Sequence, residues 1–391
     1  MTSIAFTDIG SLVSNDSNIG DGELGLRTDA AIVVVDGKVE WVGDSASVPD
    51  ADRHISLHGR TVIPGFVDSH AHLVFAGDRS AEFEARMNGE QYSAGGIRTT
   101  VAATRDASDD ELRANVARLV SEMHASGITT FESKSGYALD VENESRSLRI
   151  AQQFTSETTF LGAHVVPAEF AGRTDDYVAL VAGDMLKSAA PHSKWIDVFC
   201  DKGAFDVDQA RVVLEAGIAA GLSPRIHANQ LAEIGAVALA VELDCASADH
   251  LSHLNDQDVE VLAGSRTVAT LLPGAEFSTR SAYPNAKRLF EAGAQVAIAT
   301  DCNPGSSYTT SMPFCIAVAV REMGFSPEQA LLAATKAGAA ALRRTDIGAL
   351  SIGMRADFAV LNAPSYVHLS YRPGVNLIDS TWIAGTNVYQ R

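Results

Sequence analysis

The stretch VDSHAHLVFAGDR, residues 67–79, places two histidines one residue apart, directly after an apolar lead-in and the pair Pro64-Gly65. Residues two positions apart on a β-strand point to the same face, so His70 and His72 are predicted to project together from one strand. Polar side chains at the carboxyl end of a strand are typical of barrels that carry their chemistry at that end. The function of the chain is therefore expected to depend on this strand and on others of the same kind.

The middle of the chain alternates between short β-branched runs and stretches of helical periodicity, such as DDELRANVARLVSEMHASG at 109–127. The runs are FVDSHAHL, ITTFESKS, TTFLGAHV, WIDVFC, PRIHAN, ASADHLSH, TVATLLP and QVAIATDCNP. Eight strand-plus-helix units over about 280 residues predict an α/β fold of the (β/α)8, TIM-like barrel type. An open, doubly wound sheet is the alternative, but its glycine-rich phosphate turn does not follow the first run.

Both ends of the chain have a different, strand-rich character. AAIVVVDGKVEWVG, at 30–43, holds two apolar stretches around Asp36-Gly37, which predicts a hairpin. ADFAVLNAP and STWIAGTNVY repeat this style near the carboxyl terminus. We expect one small β-sandwich domain built from residues 1–65 and 346–391, flanking a barrel at 66–345.

Composition limits the partners of this chain. The 391 residues carry a formal net charge of −19, which disfavours nucleic acid and anionic membranes as ligands. A small anionic substrate would need a local cationic anchor. The beginning of the sequence has no signal-peptide pattern, no apolar run is long enough to cross a membrane, and four scattered cysteines form no CxxC pair. These features predict a cytoplasmic protein with free thiols.

Five of the eleven histidines fall at or near the predicted strand ends, together with one aspartate. They are His70, His72, His164, His227, His250 and Asp301. Burying six polar groups at one end of a barrel costs several kcal/mol unless they have partners, so packing alone is a poor explanation. Three imidazoles and a carboxylate, from His70, His72, His227 and Asp301, form a nitrogen and oxygen donor set suited to zinc or iron. Such a metal lowers the pKa of a bound water molecule toward neutrality.

The stretch VIPGFVDSHAHLVFAGDR resembles the opening strand of the amidohydrolase superfamily. Further segments are similar to the imidazolonepropionases, a family of histidine-degrading enzymes, and they occur in that family's order. These are FAGDRSAEFEARMNG, GGIRTTVAATRDAS, TTFESKSGYALD, FLGAHVVPAEF, IDVFCDKGAF, IHANQ and ATDCNPGSSYTTSMP. The resemblance covers nearly the whole chain.

This resemblance implies hydrolysis of 4-imidazolone-5-propanoate to N-formimino-L-glutamate, with opening of the ring at its C(O)–N bond. It implies one divalent or trivalent metal ion per subunit, zinc or iron, held by His70, His72, His227 and Asp301, with metal-bound hydroxide attacking the ring carbonyl. The family also suggests a homodimer, for which the sequence itself offers no interface signal.

Further residues are candidates for catalysis and substrate binding. His250 is expected to polarise the carbonyl and Asp301 to orient water and carry its proton to the leaving nitrogen, with the division of proton transfer left open. Arg79 suits the propanoate because its planar fork meets a carboxylate in two hydrogen bonds; an ion pair with Glu82 or Glu84 is the alternative. The remaining substrate or product contacts implied by the resemblance are Tyr137, His164, Gln230, Asn303, Gly305 and Ser306.

Other functions are considered beside this one. Another cyclic amidohydrolase, or a cytosine- or guanine-type deaminase, would share the fold. Such deaminases place a glutamate where this chain has Gln230. Because an amide cannot exchange a proton near neutral pH, this difference counts against deamination. A two-metal hydrolase would need a bridging lysine; Lys202 lies beyond its strand and Lys134 lies on the wrong strand. A catalytically silent binding protein would have lost ligands that are all present here. The chain is shorter than the family between Tyr92 and Gly95, which leaves a substrate-contact role for Tyr92 open.

Overall fold

The computed structural model describes residues 2–89 and 96–391, and the candidate contact Tyr92 lies outside them. The chain forms two compact units. The first comprises Met1–Asp68, Ser121–Thr130 and Thr310–Arg391, and the second comprises Ser69–Val120 and Phe131–Thr309. The domain limits derived from the sequence stay predictions.

The strands are numbered along the chain. They are β1 (Ser3–Val13), β2 (Leu26–Val35), β3 (Lys38–Asp44), β4 (Arg53–Ser56), β5 (Thr61–Pro64), β6 (Phe66–Asp68), β7 (Ile128–Phe131), β8 (Ser133–Lys134), β9 (Thr158–Ala163), β10 (Trp195–Cys200), β11 (Ser223–Pro224), β12 (Ile226–Ala228), β13 (Ser247–His250), β14 (Val268–Leu271), β15 (Val296–Ile298), β16 (Phe358–Leu361), β17 (Ile378–Ile383) and β18 (Thr386–Gln390).

The α-helices are numbered in the same way. They are α1 (Ser80–Met87), α2 (Ile97–Asp106), α3 (Asp109–Ala125), α4 (Val141–Ala151), α5 (Thr174–Leu180), α6 (Leu186–Ala189), α7 (Val207–Ala219), α8 (Ala236–Glu242), α9 (Asp256–Ala263), α10 (Pro273–Thr279), α11 (Ala286–Ala292), α12 (Met312–Glu322), α13 (Pro327–Ala333), α14 (Lys336–Ala341) and α15 (His368–Tyr371).

The first unit holds a mixed sheet in the order β18-β17-β16-β5-β1-β2-β3, with β4 paired to β1. The two ends of the chain meet where β5 pairs antiparallel with β16, so that Val62 lies opposite Val360. The hairpin between β2 and β3 turns at Asp36 and Gly37, which both have positive φ, as a two-residue hairpin turn requires. The prediction of a small β domain built from both termini is therefore confirmed.

The core of this sheet contains three aromatic rings. Phe6 lies edge-on to Phe358 and to Trp382, with ring centroids 4.9 and 4.8 Å apart, and it is completely buried. Such edge-to-face contacts add to the stabilisation that comes from burying the rings. The two ends of the sequence are thus joined by side-chain packing as well as by backbone pairing.

The second unit is built on a parallel sheet in the order β15-β14-β13-β12-β10-β9-β8, which follows the chain order. β11 pairs with β10. β6 pairs with β7, and this two-stranded sheet lies almost entirely within the first unit. Residues 70–72 close the ring: Asp301 N–H donates to the His70 carbonyl, His72 N–H to the Cys302 carbonyl, and Lys134 N–H to the Ala71 carbonyl, each over 2.9 Å. All eight predicted runs contain a strand, and the (β/α)8 barrel is confirmed.

Polar residues define the ends of several helices. The acidic run Asp109-Asp110-Glu111 forms the first turn of α3, where negative charge is favourable. α7 begins with a capping box made by Asp206 and Gln209. Within the described part of the chain, no helix combines the length and hydrophobicity needed to cross a membrane. All four cysteines are buried free thiols.

Replacement of Phe6 by alanine is expected to lower the free energy of unfolding by about 3 to 5 kcal/mol, because it removes a completely buried ring with two aromatic neighbours. Urea-induced unfolding measures this change. Phe83→Ala is the matched control, since Phe83 is 42% exposed and its loss is expected to cost less than about 1 kcal/mol. Equal effects of the two variants would contradict the assignment of Phe6 to the core.

Candidate active site

The six polar side chains singled out above all lie in the second unit, at the carboxyl ends of its strands. His227 lies within β12 and His250 ends β13, while His164 directly follows β9. Asp301 comes three residues after the end of β15, and its backbone is bonded to that of His70. The barrel therefore brings residues that are far apart in sequence to one end.

Two overlapping groups among these residues could hold a metal ion: His70 with His72 and His227, and His70 with His250 and Asp301. The Nε2 atoms of His70 and His72 are 3.3 Å apart, and Asp301 Oδ1 lies 3.5 and 3.6 Å from them. Ligands at about 2.0 to 2.1 Å around a tetrahedral ion lie about 3.3 Å from one another. The donor set therefore fits a metal ion.

Two buried carboxylates fix the orientation of the histidine rings. Asp249 Oδ2 lies 2.7 Å from His70 Nδ1, and Asp197 Oδ1 lies 3.0 Å from His227 Nδ1. Because an ionised carboxylate only accepts hydrogen bonds, each Nδ1 carries the proton and each Nε2 offers its lone pair. His227 Nε2 is buried and has no hydrogen-bond partner among the described residues. This is the arrangement expected of metal-binding histidines.

Burial favours the neutral form of four histidines of the site, which are His70, His72, His164 and His250. Burial, with help from Lys134 and the neighbouring imidazoles, lowers the pKa of His70 well below its usual value, and burial likewise lowers the pKa values of His72 and His250. Burial also lowers the pKa of His164 to about 3. Burial raises the pKa of the Asp301 carboxyl well above its usual value. Neutral imidazoles can act as ligands or as N–H donors over the physiological range.

Most of the predicted substrate contacts line one cavity with the metal candidates. It is lined by His72, Arg79, Ile97, Tyr137, His164, Val165, Phe199, His227, Gln230, His250, Asp301, Asn303 and Ser306. This cavity measures about 40 Å³ and shares Ile97 and Val165 with a neighbouring cavity of about 590 Å³. The two cavities are therefore adjacent, and the histidines line only the smaller one.

Arg79 makes the ion pair that the sequence offered as an alternative role. Its Nε and Nη2 atoms donate to the two carboxylate oxygens of Glu82 over 2.8 and 2.7 Å. Arg79 nevertheless lines the cavity of the histidines, so the ion pair holds the guanidinium at its wall. Gly305 does not line that cavity but lies against Arg79: a Cβ atom added to Gly305 would be 2.3 Å from Arg79 Nη1.

Backbone and amide groups fix the remaining candidates. The Asn303 Oδ1 atom accepts hydrogen bonds from the N–H groups of Gly305 and Ser306, each over 2.8 Å. Ser306 Oγ lies 3.3 Å from Asp301 Oδ2. The N–H of Gln230 donates to Asp201 Oδ2 over 2.6 Å, and Asp201 also accepts from the next two residues of that loop. Lys202, by contrast, is exposed.

Several buried charged residues beneath the site were missed by the sequence reasoning. They are Glu132, Lys134, Asp197, Arg225, Asp249 and Glu276, each at most 2% exposed. The available signal was the occurrence of charges inside apolar strand runs: Glu132 and Lys134 are two apart in ITTFESKS and so share a face. Lys134 was considered only as a bridging metal ligand, whereas the structure shows it paired with two carboxylates.

A barrel with a histidine and aspartate cluster at the carboxyl ends of its strands defines a hydrolase of the amidohydrolase class. The model of the Amidohydrolase family matches residues 61–388. The chain is 59% identical over 390 residues to an imidazolonepropionase of Mycolicibacterium smegmatis, an alignment that covers 100% of this chain and 98% of the relative. It is 63% identical over 380 residues to that of Salinispora arenicola, covering 97% of each chain. The chain therefore belongs to the imidazolonepropionase family of amidohydrolases, the hydrolases of histidine degradation.

Solved structures of two deaminases share the fold. An adenosine deaminase from Xanthomonas campestris with bound zinc superimposes with a TM-score of 0.74 at 17% identity, over 100% of this chain and 93% of that chain. Guanine deaminase of E. coli gives a TM-score of 0.71 at 18% identity, with both chains covered completely. At this level of identity the likeness concerns the fold alone.

Gly305→Ala is expected to raise KM about tenfold or more, because the new Cβ would displace the Arg79 guanidinium from the cavity wall. The displaced atoms belong to the end of a flexible side chain, so the unfolding free energy is expected to change by less than about 1 kcal/mol. Gly264→Ala is the control, because the nearest atom to its added Cβ is at 3.6 Å. Steady-state kinetics of both variants give the result, and an unchanged KM for Gly305→Ala would show that Arg79 does not contact substrate.

The Glu276 carboxyl predicts a measurable pH dependence of stability. Burial raises its pKa from 4.5 to about 7, while Ser252 Oγ donates to Oε1 over 2.7 Å. Between these values the Glu276 carboxyl holds a proton in the folded protein that it has released in the unfolded chain, so its contribution to stability falls as the pH rises from 4.5 to 7. Glu276→Gln removes this loss.

We therefore expect the unfolding free energy of Glu276→Gln, relative to wild type, to increase by about 2 to 3 kcal/mol between pH 5 and pH 8. Urea titrations at a series of pH values measure it. Glu291→Gln, at a glutamate with a 65% exposed side chain, is the control and should show no such trend. If the difference in unfolding free energy between Glu276→Gln and wild type did not change with pH, the raised pKa of this carboxyl would be refuted.

Proposed function

We propose that this chain hydrolyses the ring C(O)–N bond of 4-imidazolone-5-propanoate to give N-formimino-L-glutamate. The observation that carries the proposal is the meeting of three imidazoles and the Asp301 carboxylate beside neutral His250, in a barrel whose family is defined by this reaction. Arg79 lines the same cavity and supplies the positive charge that an anionic substrate requires.

The donor set supports one zinc or iron ion per subunit, held by His70, His72, His227 and Asp301. Imidazole nitrogen and carboxylate oxygen suit both metals, and the Nδ1 partners of His70 and His227 leave Nε2 of each ring to bind. When bound, such a metal lowers the pKa of a water molecule and so supplies a nucleophile near neutral pH.

Asp301 is proposed to handle the proton of the attacking water. Its Oδ1 atom faces His70 and His72, while Oδ2 accepts a hydrogen bond from Ser306 Oγ over 3.3 Å. A carboxylate held in this way can take the proton at one oxygen and later deliver it to the ring nitrogen that leaves. The leaving nitrogen then departs as a neutral amidine nitrogen of the product.

His250 is proposed to polarise the ring carbonyl. It is neutral and buried, and its Nδ1 has no hydrogen-bond partner in the part of the chain that is described. A neutral imidazole can donate N–H to the oxygen on which negative charge develops during attack. The backbone of His250 has a φ of +78°, a conformation that costs free energy and is typical of functional positions.

The substrate is proposed to enter from the larger cavity with its ring toward the histidines and its carboxylate toward Arg79. Gln230, which the Asp201 carboxylate fixes through its backbone, contacts the ring by hydrogen bonding. Its amide cannot serve as the proton shuttle of a deaminase, which favours ring hydrolysis over deamination. Tyr137, His164, Asn303, Gly305 and Ser306 complete the proposed contacts with substrate or product. The free thiols support a cytoplasmic location, and the homodimer stays a prediction.

Turnover of freshly generated 4-imidazolone-5-propanoate, followed by the ultraviolet absorbance of the ring, tests the proposed function. Rapid loss of the ring signal that stops on chelation and returns with added metal supports it. Absence of turnover by protein with a full metal complement would refute this substrate assignment.

His227→Ala and His250→Ala are expected to separate metal binding from catalysis. Loss of His227 should lower the metal content well below one ion per chain, because it removes a ligand. Loss of His250 should leave the metal content unchanged and lower kcat about 10²- to 10⁴-fold, as expected when a group active in proton transfer or charge stabilisation is removed.

Elemental analysis and steady-state kinetics on the same preparations decide between these roles, and exposed His54→Ala serves as the control for histidine removal. If His250→Ala lost its metal while His227→Ala kept it, the group His70, His250 and Asp301 would be the metal site and the assignment above would be wrong.

A further inference from the structure

Lys134 is an ammonium group buried in the interior of the barrel, below the candidate metal ligands. Its side chain is completely buried, and its Nζ atom donates to Glu132 Oε1 and to Asp197 Oδ2 over 2.7 Å each. Neither the family resemblance nor the proposed reaction assigns it a role. A lysine in such a place is costly to bury, and its contacts indicate what it does there.

The Asp197 carboxylate joins Lys134 to a candidate metal ligand. One oxygen, Oδ2, accepts from Lys134, and the other, Oδ1, accepts from His227 Nδ1 over 3.0 Å. The His227 Nε2 atom, on the opposite side of the ring, belongs to the group that could hold a metal. Three groups thus form a continuous chain from the barrel interior to the metal candidates.

The Glu132 carboxylate holds Lys134 in place from the other side. Its Oε2 atom accepts the N–H of Ala71, the residue between His70 and His72, over 3.2 Å, and its Oε1 atom also accepts from Thr159 Oγ1. Arg225 supplies a second buried cation 3.8 Å from Glu132. The side chain of Lys134 is therefore held in one position in the interior of the barrel.

Charge explains why the ammonium matters to His227. A buried carboxylate that loses its cation is left without a partner on that side and turns toward other donors, so Asp197 Oδ1 would no longer be held against His227 Nδ1. The His227 ring would then lose the acceptor that fixes its orientation and directs Nε2 toward the other metal ligands. The ammonium of Lys134 keeps Asp197 as an acceptor and so keeps the Nε2 lone pair of His227 available.

We propose that Lys134 is a positioning residue of the metal site, which acts through Asp197 to hold His227 in the orientation and tautomer that bind the metal. This inference rests on the metal ligands of the proposed function. It does not depend on the identity of the substrate.

The test measures the zinc affinity of metal-free protein by competition with a chromophoric chelator. Lys134→Met, which replaces the ammonium by an apolar group of similar length, is expected to bind zinc about 10- to 100-fold more weakly. Lys194→Met is the matched control, because Lys194 also pairs with a buried carboxylate, that of Glu157, but precedes the amino end of β10, whereas the candidate metal ligands lie at the carboxyl ends of the strands. It is expected to leave zinc affinity within about twofold of wild type.

A double-mutant cycle tests whether Lys134 acts through Asp197. Asp197→Asn alone should weaken zinc binding about as much as Lys134→Met. Adding Lys134→Met to Asp197→Asn should weaken it by less than about threefold more. Independent, multiplicative effects would overturn the proposal, as would a Lys134→Met variant that unfolds more readily but binds zinc as tightly as wild type.

Wild-type protein provides a second arm if Lys134→Met does not fold. Spectra of metal-free protein with ¹⁵N-labelled histidine, assigned by comparison with His227→Gln, report which ring nitrogen of His227 carries the proton. Protonation at Nδ1 is expected, and protonation at Nε2 would overturn the proposal. Wild type that binds no zinc or iron would refute the metal site itself, whereas tight binding without turnover would refute only the substrate.

Discussion

A buried histidine is oriented toward a metal when its other ring nitrogen donates to a fixed acceptor, and two interior carboxylates act in this way on His70 and His227. Asp249 holds Nδ1 of His70 over 2.7 Å, and Asp197 holds Nδ1 of His227 over 3.0 Å. Both carboxylates are completely buried and therefore need cations of their own. Lys134 lies 2.7 Å from Asp197, and Arg225 lies 3.6 Å from Asp249. The orientation of the His70 and His227 rings therefore depends on ion pairs between carboxylates and cations inside the barrel.

The barrel topology brings these charged side chains into contact. Its parallel strands present alternate side chains to the interior, and the carboxyl ends of all strands meet at one end. Strand β8 contributes Lys134, β10 contributes Asp197 and β12 contributes His227. Three strands, with only β9 lying between β8 and β10, therefore supply a cation, a carboxylate and an imidazole in contact. The same topology places Asp301 beside His70, because the backbone after β15 is bonded to that of the first histidine.

Local sequence signals were sufficient for the fold and for the residues at the strand ends. The eight apolar runs, the Asp36-Gly37 hairpin and the His70–His72 pair each follow from periodicity or turn chemistry within a few residues. The interior charges could not be predicted in the same way. Lys134 and Asp197 are 63 residues apart, and their pairing depends on which strands are neighbours and on the inward register of each. The Arg79–Glu82 ion pair, only three residues apart, was available as an alternative from the sequence.

Family membership and site geometry together lead to one proposed mechanism, which is ring opening by water at the carbonyl carbon in a site built from imidazoles and one carboxylate. Turnover of 4-imidazolone-5-propanoate in H₂¹⁸O, with mass spectrometry of the product and an ammonia assay, tests this claim most directly. The account predicts one ¹⁸O atom in the newly formed carboxylate of N-formimino-L-glutamate and no release of ammonia. Label in a formyl group, or stoichiometric ammonia, would show that water attacks a different carbon and would contradict the proposed reaction.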